Sequence, residues 1–357
     1  MTLDAGGTNF VFSAIQDGKE ILEPIQVPSN GHELDICLKG IIDGFRRVLQ
    51  TIKKPADAIS FAFPGPADYK NGIIGDLGNL PAFRGGIALG PLLESTFKLP
   101  VFINNDGDLF ALGEAKHGLL PWINSLMSES GNTKSYENLI GLTLGTGFGG
   151  GLVVSGTLIQ GDTNSAGEVW LLRNGINPLT FAEENISARA LVNAYNHYSG
   201  KKEMLFASEI AKIARETKPG NHKAAQQAFD DFGSALGDAV ANLITMFDAC
   251  VVIGGGLSKS WDLFFPSMLE KLNGFFEQPD GSRVRRIESN VYNLEDSSCL
   301  KTFLSSSATV IKVPFSDKTI PYESTKKLGI GVSKLGASRA VALGAYTFAM
   351  NQMVISQ

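Results

Sequence analysis

The sequence has few cysteines and histidines, and it has no long run of apolar or basic residues. Its 357 residues include four histidines and three cysteines, at Cys37, Cys250 and Cys299. This sparse, odd set of thiols cannot form a Cys-rich zinc site and is typical of reduced cysteines in the cytoplasm. No apolar run approaches the length of about 18 residues that spans a membrane. The N-terminus also lacks the pattern of a signal peptide.

Charge excludes a second group of functions. The formal net charge is −5, and the short basic stretches at Arg46–Arg47 and Arg283–Arg286 have acidic or polar neighbours. We therefore expect a solvated surface there, and no nucleic-acid or membrane patch. The length allows two domains, and an apolar content of 43% is ordinary for a globular protein.

Glycine is abundant, with 40 residues gathered in clusters. The segment Gly145–Gly151 reads Gly-Thr-Gly-Phe-Gly-Gly-Gly, and its spacing satisfies the G-x-G-x-x-G pattern of dinucleotide-binding turns. That pattern requires a helix after the turn, whereas Leu152–Ile159 reads as a strand and hairpin. Two interpretations remain, a phosphate-binding turn and a tight hairpin without a ligand.

A second copy of this strand–turn–strand pattern lies at the N-terminus. Thr2–Phe12 and Leu142–Val154 both read as an apolar strand, a Gly/Thr turn and an apolar strand, and Gly254–Gly256 is a third glycine cluster. This repetition predicts two related lobes and favours a ligand at the turns. Between the turns, apolar spacing predicts a helix over Leu34–Ile52 and a strand over Pro100–Ile103. The polar segment Pro279–Lys327 reads as irregular and has no predicted role.

The order of the motifs is more specific than any one of them. They are Asp4-Ala-Gly-Gly-Thr8, Phe63-Pro-Gly-Pro66, Asn104-Asn-Asp106, Gly145–Gly151, Ala166-Gly-Glu168 and Ile253-Gly-Gly-Gly-Leu257. This set, which spans nearly the whole chain, resembles the ROK family of sugar kinases. The resemblance implies an α/β, two-lobed actin-like ATPase (ribonuclease H-like) fold with a central cleft. A small lobe is expected at residues 1–115 plus the C-terminal helix at about 337–357, with residues 116–336 as the large lobe.

The resemblance implies a cytoplasmic enzyme that transfers the γ-phosphoryl group of ATP to a hexose, with Mg²⁺ as the cation. Glucose is the favoured acceptor, and an N-acetylhexosamine kinase or a fructokinase is the alternative. A repressor of the same family would need a helix-turn-helix motif ahead of Asp4, and the three residues given before Asp4 contain no such motif. A non-catalytic sugar sensor is a further alternative, and a homodimer stays open.

The resemblance also assigns residues to ATP and the metal. Asp4 is expected to hold Mg²⁺ through water, because that ion prefers one or two carboxylates with phosphate oxygens. Its alternative is an aspartate that only forms a hairpin. The residues expected to contact the nucleotide and its phosphates are Gly6, Gly7, Thr8, Asn9, Gly145, Thr146, Gly147, Gly254, Gly255 and Gly256.

Asp106 is the candidate catalytic base, since a carboxylate beyond a strand can take the proton of a sugar hydroxyl. Its alternative is a turn or helix N-cap formed by Asn-Asn-Asp-Gly. The other residues that the resemblance assigns to the sugar are Pro64, Gly65, Asn79, Asn105, Glu168 and Glu183, with Glu184 as a second register for the last. The alternative for Asn79 and Glu168 is an ordinary surface polar residue without a ligand.

The chain departs from the family pattern after Glu168. The family continues Gly-Glu-x-Gly-His with a Cys-rich zinc loop, but Trp170 and Leu171 stand in the last two places here. We expect no zinc, and we expect Trp170, Leu171, Leu172, Leu179 and Phe181 to hold the loop by packing. The first strand is also short, with three residues ahead of Asp4, so either the native chain starts upstream or this strand is curtailed.

Overall fold

The computed structural model describes residues 1–6, 8–78 and 80–355, and the side chain of residue 355 is not described. The chain divides into two compact units. Unit 1 comprises Met1–Gly118, Gly150–Gly167 and Leu335–Gln357, and unit 2 comprises Leu119–Gly149 and Glu168–Lys334. Both units mix helices and strands, which confirms the predicted α/β class.

The strands, in chain order, are β1 (Thr2–Ala5), β2 (Asn9–Ser13), β3 (Ile15–Gln16), β4 (Lys19–Glu20), β5 (Ile25–Pro28), β6 (Ile59–Ala62), β7 (Ala67–Asp68), β8 (Ile73–Ile74), β9 (Val101–Asn104), β10 (Leu139–Leu144), β11 (Phe148–Val154), β12 (Thr157–Leu158), β13 (Cys250–Gly254), β14 (Phe275–Glu277), β15 (Arg283–Arg285), β16 (Asn290–Asn293), β17 (Thr309–Lys312), β18 (Thr319–Tyr322) and β19 (Lys327–Val332). The helices are α1 (Leu34–Ile52), α2 (Leu89–Phe97), α3 (Asp106–His117), α4 (Leu119–Glu129), α5 (Ala188–Ser199), α6 (Ala207–Ala214), α7 (His222–Phe247), α8 (Trp261–Leu272), α9 (Ser297–Leu304) and α10 (Ala337–Ile355).

Unit 1 is built on a sheet with the strand order β5-β2-β1-β6-β9. The hairpin β1–β2 is antiparallel, whereas β1, β6 and β9 are parallel. Phe12 and Phe61 from this sheet are buried against Phe45 of α1, and Phe63, which directly follows β6, is buried against Phe83. The apolar face of α1 therefore covers the sheet, as its helical periodicity predicts.

Two helices of unit 1, α3 and α10, cross at glycines. A Cβ atom placed on Gly113 would lie 1.9 Å from the carbonyl oxygen of Ala340, and one on Gly344 would lie 1.8 Å from that of Leu109. Only residues without a Cβ atom allow backbones to approach so closely. This contact fixes α3, the helix that begins at Asp106.

Unit 2 contains the parallel strands β10, β13, β19 and β16, in that order. The strand β13 is buried along its whole length, as expected for a central parallel strand. Helices α7 and α8 pack closely, because a Cβ atom on Gly233 would lie 2.1 Å from the carbonyl oxygen of Phe264. Strand β11 follows the turn Gly145–Gly147, and β12 follows the hairpin turn at Gly156. No helix therefore starts at the turn Gly145–Gly147.

The segment 279–327 is structured, so the expectation of an irregular segment is wrong. Strand β16 within it pairs with β19 and extends the sheet of unit 2. Its four residues are too few and too polar to show a period, and pairing with β19 decides their structure. Arg286 also ties the segment to α7 through Asp238 and Asn242, with nitrogen–oxygen distances of 3.1 and 2.8 Å.

None of the helices in residues 1–6, 8–78 and 80–355 is both long and apolar enough to cross a membrane.

We predict that Lys327→Met destabilises the protein. Lys327 is buried, and its ammonium group donates hydrogen bonds to the carbonyl oxygens of Thr302 at 2.9 Å and Ser305 at 2.7 Å, where α9 ends. Methionine keeps the length of the side chain but leaves both carbonyls without this donor, which should lower the free energy of unfolding by about 1–3 kcal/mol. Urea denaturation measures the loss.

The matched control is Lys326→Met, because Lys326 is exposed and only faces Glu288 at 3.8 Å. A surface change of this kind should stay within about 0.5 kcal/mol. Equal effects of the two substitutions would contradict a capping role for Lys327.

Candidate active site

The candidate residues of unit 1 meet at one edge of its sheet. Asp4 stands opposite Ala62, and Ala62 stands opposite Asn104, in parallel pairings. Parallel strands in register end at the same edge, so the residues that follow each strand lie there too. This edge therefore collects Asp4, Pro64–Gly65 and Asn105–Asp106 from three separate parts of the sequence.

Asp4 precedes a turn whose shape depends on glycine. The Asp4 side chain is exposed, as is Thr8, and a Cβ atom on Gly6 would lie 2.8 Å from the carbonyl oxygen of Asn9. An exposed carboxylate beside bare backbone fits the needs of a hydrated Mg²⁺ ion with phosphate oxygens. Gly7, predicted to contact the phosphates, lies outside the described residues.

Asp106 is the first residue of α3, and Asn105 is its N-cap. The Gly107 N–H donates to Asn105 Oδ1 and to Asp106 Oδ1, each at 2.8 Å. The N-cap interpretation thus holds for Asn105, and the exposed Asp106 carboxylate is held in place beside it. A Cβ atom on Gly151 would lie 2.5 Å from the Gly107 carbonyl oxygen, so this first turn packs against the backbone of β11.

The loop around Asn79 is anchored by its neighbours, although Asn79 itself lies outside the described residues. Leu80 is buried, and the Arg84 guanidinium donates to the carbonyl oxygens of Leu77 and Phe83 at 2.6 and 2.8 Å. Nearer the sheet edge, the Tyr69 hydroxyl donates to the Phe63 carbonyl oxygen at 3.0 Å and so holds the strand just before Pro64 and Gly65.

In unit 2, the two glycine turns lie side by side. Thr143 of β10 stands opposite Gly254 of β13 in a parallel pairing, so Gly145–Gly147 and Gly254–Gly256 follow neighbouring strands at one edge. A Cβ atom on Gly255 would lie 2.3 Å from the Leu144 carbonyl oxygen, which shows how close the two backbones are. Thr146 and Gly256 are exposed at this edge.

The turn Gly145–Gly147 is braced by the segment that contains Glu183. The Ala188 N–H at the start of α5 donates to the Gly145 carbonyl oxygen at 2.8 Å. The Phe148 N–H donates to Glu183 Oε2 at 2.9 Å. Glu183 is thus in contact with the turn predicted to bind phosphate, and its expected role at the sugar stays a prediction.

Glu184, the alternative register, is engaged elsewhere. Both of its carboxylate oxygens accept hydrogen bonds from Arg189, at 3.1 and 2.7 Å. These hydrogen bonds lower the pKa of Glu184 and raise the pKa of Arg189. An exposed bidentate pair of this kind is a sufficient explanation for Glu184 without a ligand.

Glu168 has a partner that the family pattern does not contain. The exposed Glu168 carboxylate accepts a hydrogen bond from the indole N–H of Trp170. The Trp170 ring meets the edge of Phe181, with 5.4 Å between the ring centroids. The half-buried indole therefore orients the carboxylate predicted to contact the sugar.

The expectation that apolar packing holds the loop after Glu168 is only partly right. Leu171 is 56% exposed and Leu179 is 95% exposed, so neither contributes to a core. The sequence signal was misleading because apolar residues in a long loop need not face inward. Trp170 and Phe181 do pack against each other.

Asn174 organises this loop instead. Its side chain is 1% exposed and makes four hydrogen bonds. The Nδ2 group donates to the Phe181 carbonyl oxygen at 3.1 Å and to Asn185 Oδ1 at 2.6 Å, while Oδ1 accepts from the N–H groups of Ile176 at 2.9 Å and Asn177 at 3.0 Å. The sequence analysis missed this residue, although the pair Asn174–Gly175 is a turn signal.

No group of three or more His, Cys, Asp or Glu side chains in the described part of the chain is arranged to hold a metal ion. Burial raises the pKa of the Cys37 thiol to about 11 and that of Cys250 to about 12, and it also raises the pKa of Cys299. These thiols stay protonated near neutral pH, which makes them poor nucleophiles and poor metal ligands.

Comparison with known proteins shows the family. The model of the ROK family matches residues 1–297. The chain is 31% identical to an N-acetyl-D-glucosamine kinase from Vibrio atlanticus over 287 residues, which cover 75% of this chain and 87% of that protein. It is 28% identical to a glucokinase from Thermotoga maritima over 300 residues, covering 76% and 86% of the two chains.

A solved structure gives a stronger likeness. The glucokinase from Parabacteroides distasonis is 47% identical, and its structure matches with a TM-score of 0.88 over 98% of this chain and 96% of that chain. The fold is that of the actin-like ATPases, as the motif order implied. The chain belongs to the ROK family.

We predict that Asn174→Ala destabilises the loop 168–185. The substitution removes four hydrogen bonds at a buried position, which should lower the free energy of unfolding by about 1–3 kcal/mol, as measured by urea denaturation. Asn177→Ala is the control, since the exposed Asn177 side chain accepts the N–H of Leu179 in a hydrogen bond of 3.3 Å. If Asn174→Ala were as stable as this control, Asn174 would not organise the loop.

Proposed function

We propose that this protein is an ATP-dependent kinase that phosphorylates a hexose, with glucose as the first candidate. The observation that carries the proposal is the register of β1, β6 and β9, which collects the Asp4 turn and Asp106 at one sheet edge in a member of the ROK family. Phosphoryl transfer needs little more than positioned phosphates, a cation and a base for the acceptor.

ATP is assigned to the glycine turns. We propose that the backbone N–H groups of Gly6, Gly7, Gly145 and Gly147, with the hydroxyls of Thr8 and Thr146, bind the phosphates, because successive amides form a site for anions. Asn9 would add a side-chain amide. Gly254–Gly256 would let the adenosine lie against backbone. Mg²⁺, held through water by Asp4, would neutralise phosphate charge.

The hexose is assigned to the polar groups at the ends of β6 and β9 and in the loop after β12. We propose that the hexose is bound by Pro64, Gly65, Asn79, Asn105, Glu168 and Glu183, with Asp106 at the reacting hydroxyl. The hydrogen bond from Trp170 leaves Glu168 a fixed direction in which to accept a sugar hydroxyl. Units 1 and 2 would then correspond to the small and large lobes.

The proposed reaction is one in-line transfer. The Asp106 carboxylate takes the proton of the sugar hydroxyl, and the hydroxyl oxygen forms a bond to the γ-phosphorus. The bond from that phosphorus to the β–γ bridging oxygen breaks, and ADP leaves with the electron pair. The hydrogen bond from Gly107 holds the base during this step, because proton transfer requires correct geometry before it requires basicity. The use of ATP by the proposed kinase is consistent with a cytoplasmic enzyme.

An N-acetylhexosamine kinase is the second candidate. It is favoured by the likeness to the N-acetyl-D-glucosamine kinase from Vibrio atlanticus. The higher identity to the Parabacteroides distasonis glucokinase favours glucose. An acetamido group needs room beside the 2-position of the sugar, so the two acceptors differ in the space that they need in the sugar site.

We predict that ADP release, measured in a coupled assay, depends on added hexose and is fastest with glucose. The panel should include glucose, fructose, mannose, N-acetylglucosamine and N-acetylmannosamine, compared by kcat/KM. A preference for N-acetylglucosamine would select the second candidate. If none of these sugars supported ADP release, the proposal of a hexose kinase would be rejected.

We also predict that Asp106→Asn lowers kcat by about 10² or more, because asparagine keeps the size of the side chain but cannot accept a proton. Hexose binding, measured by calorimetry, should be nearly unchanged. Asp43→Asn on the exposed face of α1 is the control, since Asp43 pairs with Arg46 in an exposed position. Near-normal turnover of the Asp106 variant would remove Asp106 from the role of base.

A further inference from the structure

A three-residue segment, 29–31, follows strand β5 and lies beside Thr8, one of the predicted phosphate contacts. At the end of β5, Pro28 stands opposite Asn9 in the antiparallel pairing with β2. The N–H of the buried Ser29 then donates to the Thr8 carbonyl oxygen at 2.9 Å. Three residues reach at most about 10 Å, so the contacts of this segment are made close to Thr8.

Regular structure fixes both ends of the segment. Strand β5 precedes it, and helix α1 begins shortly after it, at Leu34. The Asn30 carbonyl oxygen accepts the Glu33 N–H at 3.0 Å, and the Glu33 carbonyl oxygen accepts the N–H of Cys37, a fully buried residue of α1, at 2.9 Å. A new contact at Gly31 should therefore displace the neighbour of Gly31 rather than the segment itself.

Gly31 packs against the loop that follows Asn79. The carbonyl oxygen of the buried Gly31 accepts the Ala82 N–H at 3.0 Å. A Cβ atom on Gly31 would lie 2.4 Å from Leu80 Cδ2, well inside the spacing of about 3.5–4.0 Å between carbon atoms in ordinary contact. Leu80 is fully buried, so its side chain has little room to withdraw. The loop can therefore pack on residue 31 in this way only if that residue has no side chain.

A second contact holds the same loop. Phe83 is also fully buried, and it packs against Phe63 with 5.4 Å between the ring centroids. The Phe83 N–H donates to the Leu80 carbonyl oxygen at 2.9 Å, so Leu80 and Phe83 belong to one turn. Asn79, which the resemblance assigns to the sugar, directly precedes Leu80 in the chain. A displacement of Leu80 would reach Asn79 through a single peptide bond.

We infer that Gly31 is a positioning residue for the hexose, which acts through Leu80 on the loop that carries Asn79. This inference rests on the proposed function and adds a residue to which the sequence analysis gives no role. The missing side chain of Gly31 lets Leu80 dock, and the docked loop then needs no rearrangement when sugar binds. Groups that are already held in place bind a ligand more tightly than mobile ones do.

The same geometry separates an effect on the hexose from an effect on ATP. The hydrogen bond from Ser29 to Thr8 joins two backbone positions on the sheet, and a methyl group added at residue 31 does not touch it. The clash falls on Leu80 instead. We therefore expect a substitution of Gly31 to weaken hexose binding while leaving ATP binding nearly unchanged.

The experiment compares Gly31→Ala, Leu80→Ala and the double variant with the control Gly40→Ala, all in the full chain. Gly40 lies in α1, and the nearest atom to a Cβ atom placed there is the Pro28 carbonyl oxygen at 4.0 Å, which is an ordinary contact. We expect Gly31→Ala to raise KM for the hexose about tenfold or more, with KM for ATP within about threefold of the wild type. Gly40→Ala should change neither constant.

The double variant tests whether Gly31 acts through Leu80. Leu80→Ala removes every side-chain atom beyond Cβ, including the Cδ2 atom that alanine at residue 31 would meet. Leu80→Ala should itself raise KM for the hexose about threefold or more, because the loop loses its anchor. Adding Gly31→Ala to Leu80→Ala should then raise KM by about threefold at most, since residues in contact do not act additively. If Gly31→Ala alone does not fold, Leu80→Ala and the double variant carry the test with these same limits.

Calorimetry without nucleotide gives a readout that does not depend on turnover. Titration with glucose, fructose, mannose, N-acetylglucosamine and N-acetylmannosamine should place the variants in the same order of affinity. Thermal unfolding checks that each variant is folded. Wild-type hexose affinity in Gly31→Ala or in Leu80→Ala would overturn the inference. A full tenfold loss on adding Gly31→Ala to Leu80→Ala would also overturn it, as would a rise in KM for ATP with an unchanged KM for the hexose.

The failure of the inference and the failure of the proposed function give different results. A wild-type chain that binds one of these sugars but phosphorylates none would reject the proposed function, and the sugar affinities of the variants would still decide the role of Gly31. A wild-type chain that binds none of the sugars would overturn both.

Discussion

Backbone pairing between parallel strands is the constraint on which the candidate site depends. In unit 1, hydrogen bonding sets Asp4 opposite Ala62 and Ala62 opposite Asn104, and in unit 2 it sets Thr143 opposite Gly254. A slip of one residue would turn every side chain of a strand to the other face. The polar groups beyond these strands can therefore come together only while the buried residues on the same strands keep their register.

Glycine serves several purposes within one short stretch. Gly147 makes room for the Glu183 carboxylate, Gly151 lets β11 approach α3, and Gly145 leaves open space. Glycine therefore occurs at a contact with an acid, at a contact between two backbones and at a candidate ligand position. Spacing alone cannot separate these uses, and the strand that follows the turn, rather than the spacing, excludes a dinucleotide-binding turn at this stretch.

The loop 168–185 shows how a buried amide can organise a segment without a hydrophobic core. Asn174 satisfies two donors and two acceptors at once, so the loop pays little for burying polar backbone. This loop also carries Glu168 and Glu183, whose carboxylates accept hydrogen bonds from the indole of Trp170 and from the Phe148 N–H. The departure from the family pattern at Trp170 therefore changes the surroundings of Glu168.

The sequence by itself determined the α/β class, the family and the helix at Leu34–Ile52, because periodicity and motif order are local properties of the chain. It also singled out Asp4 and Asp106, because the resemblance to the ROK family assigns roles to the motifs that contain them. Only the tertiary structure decided that Glu183 contacts Phe148, that Asn174 is buried, and that residues 290–293 form a strand. These depend on partners distant in the sequence or on the exact path of a loop, and no local pattern encodes either.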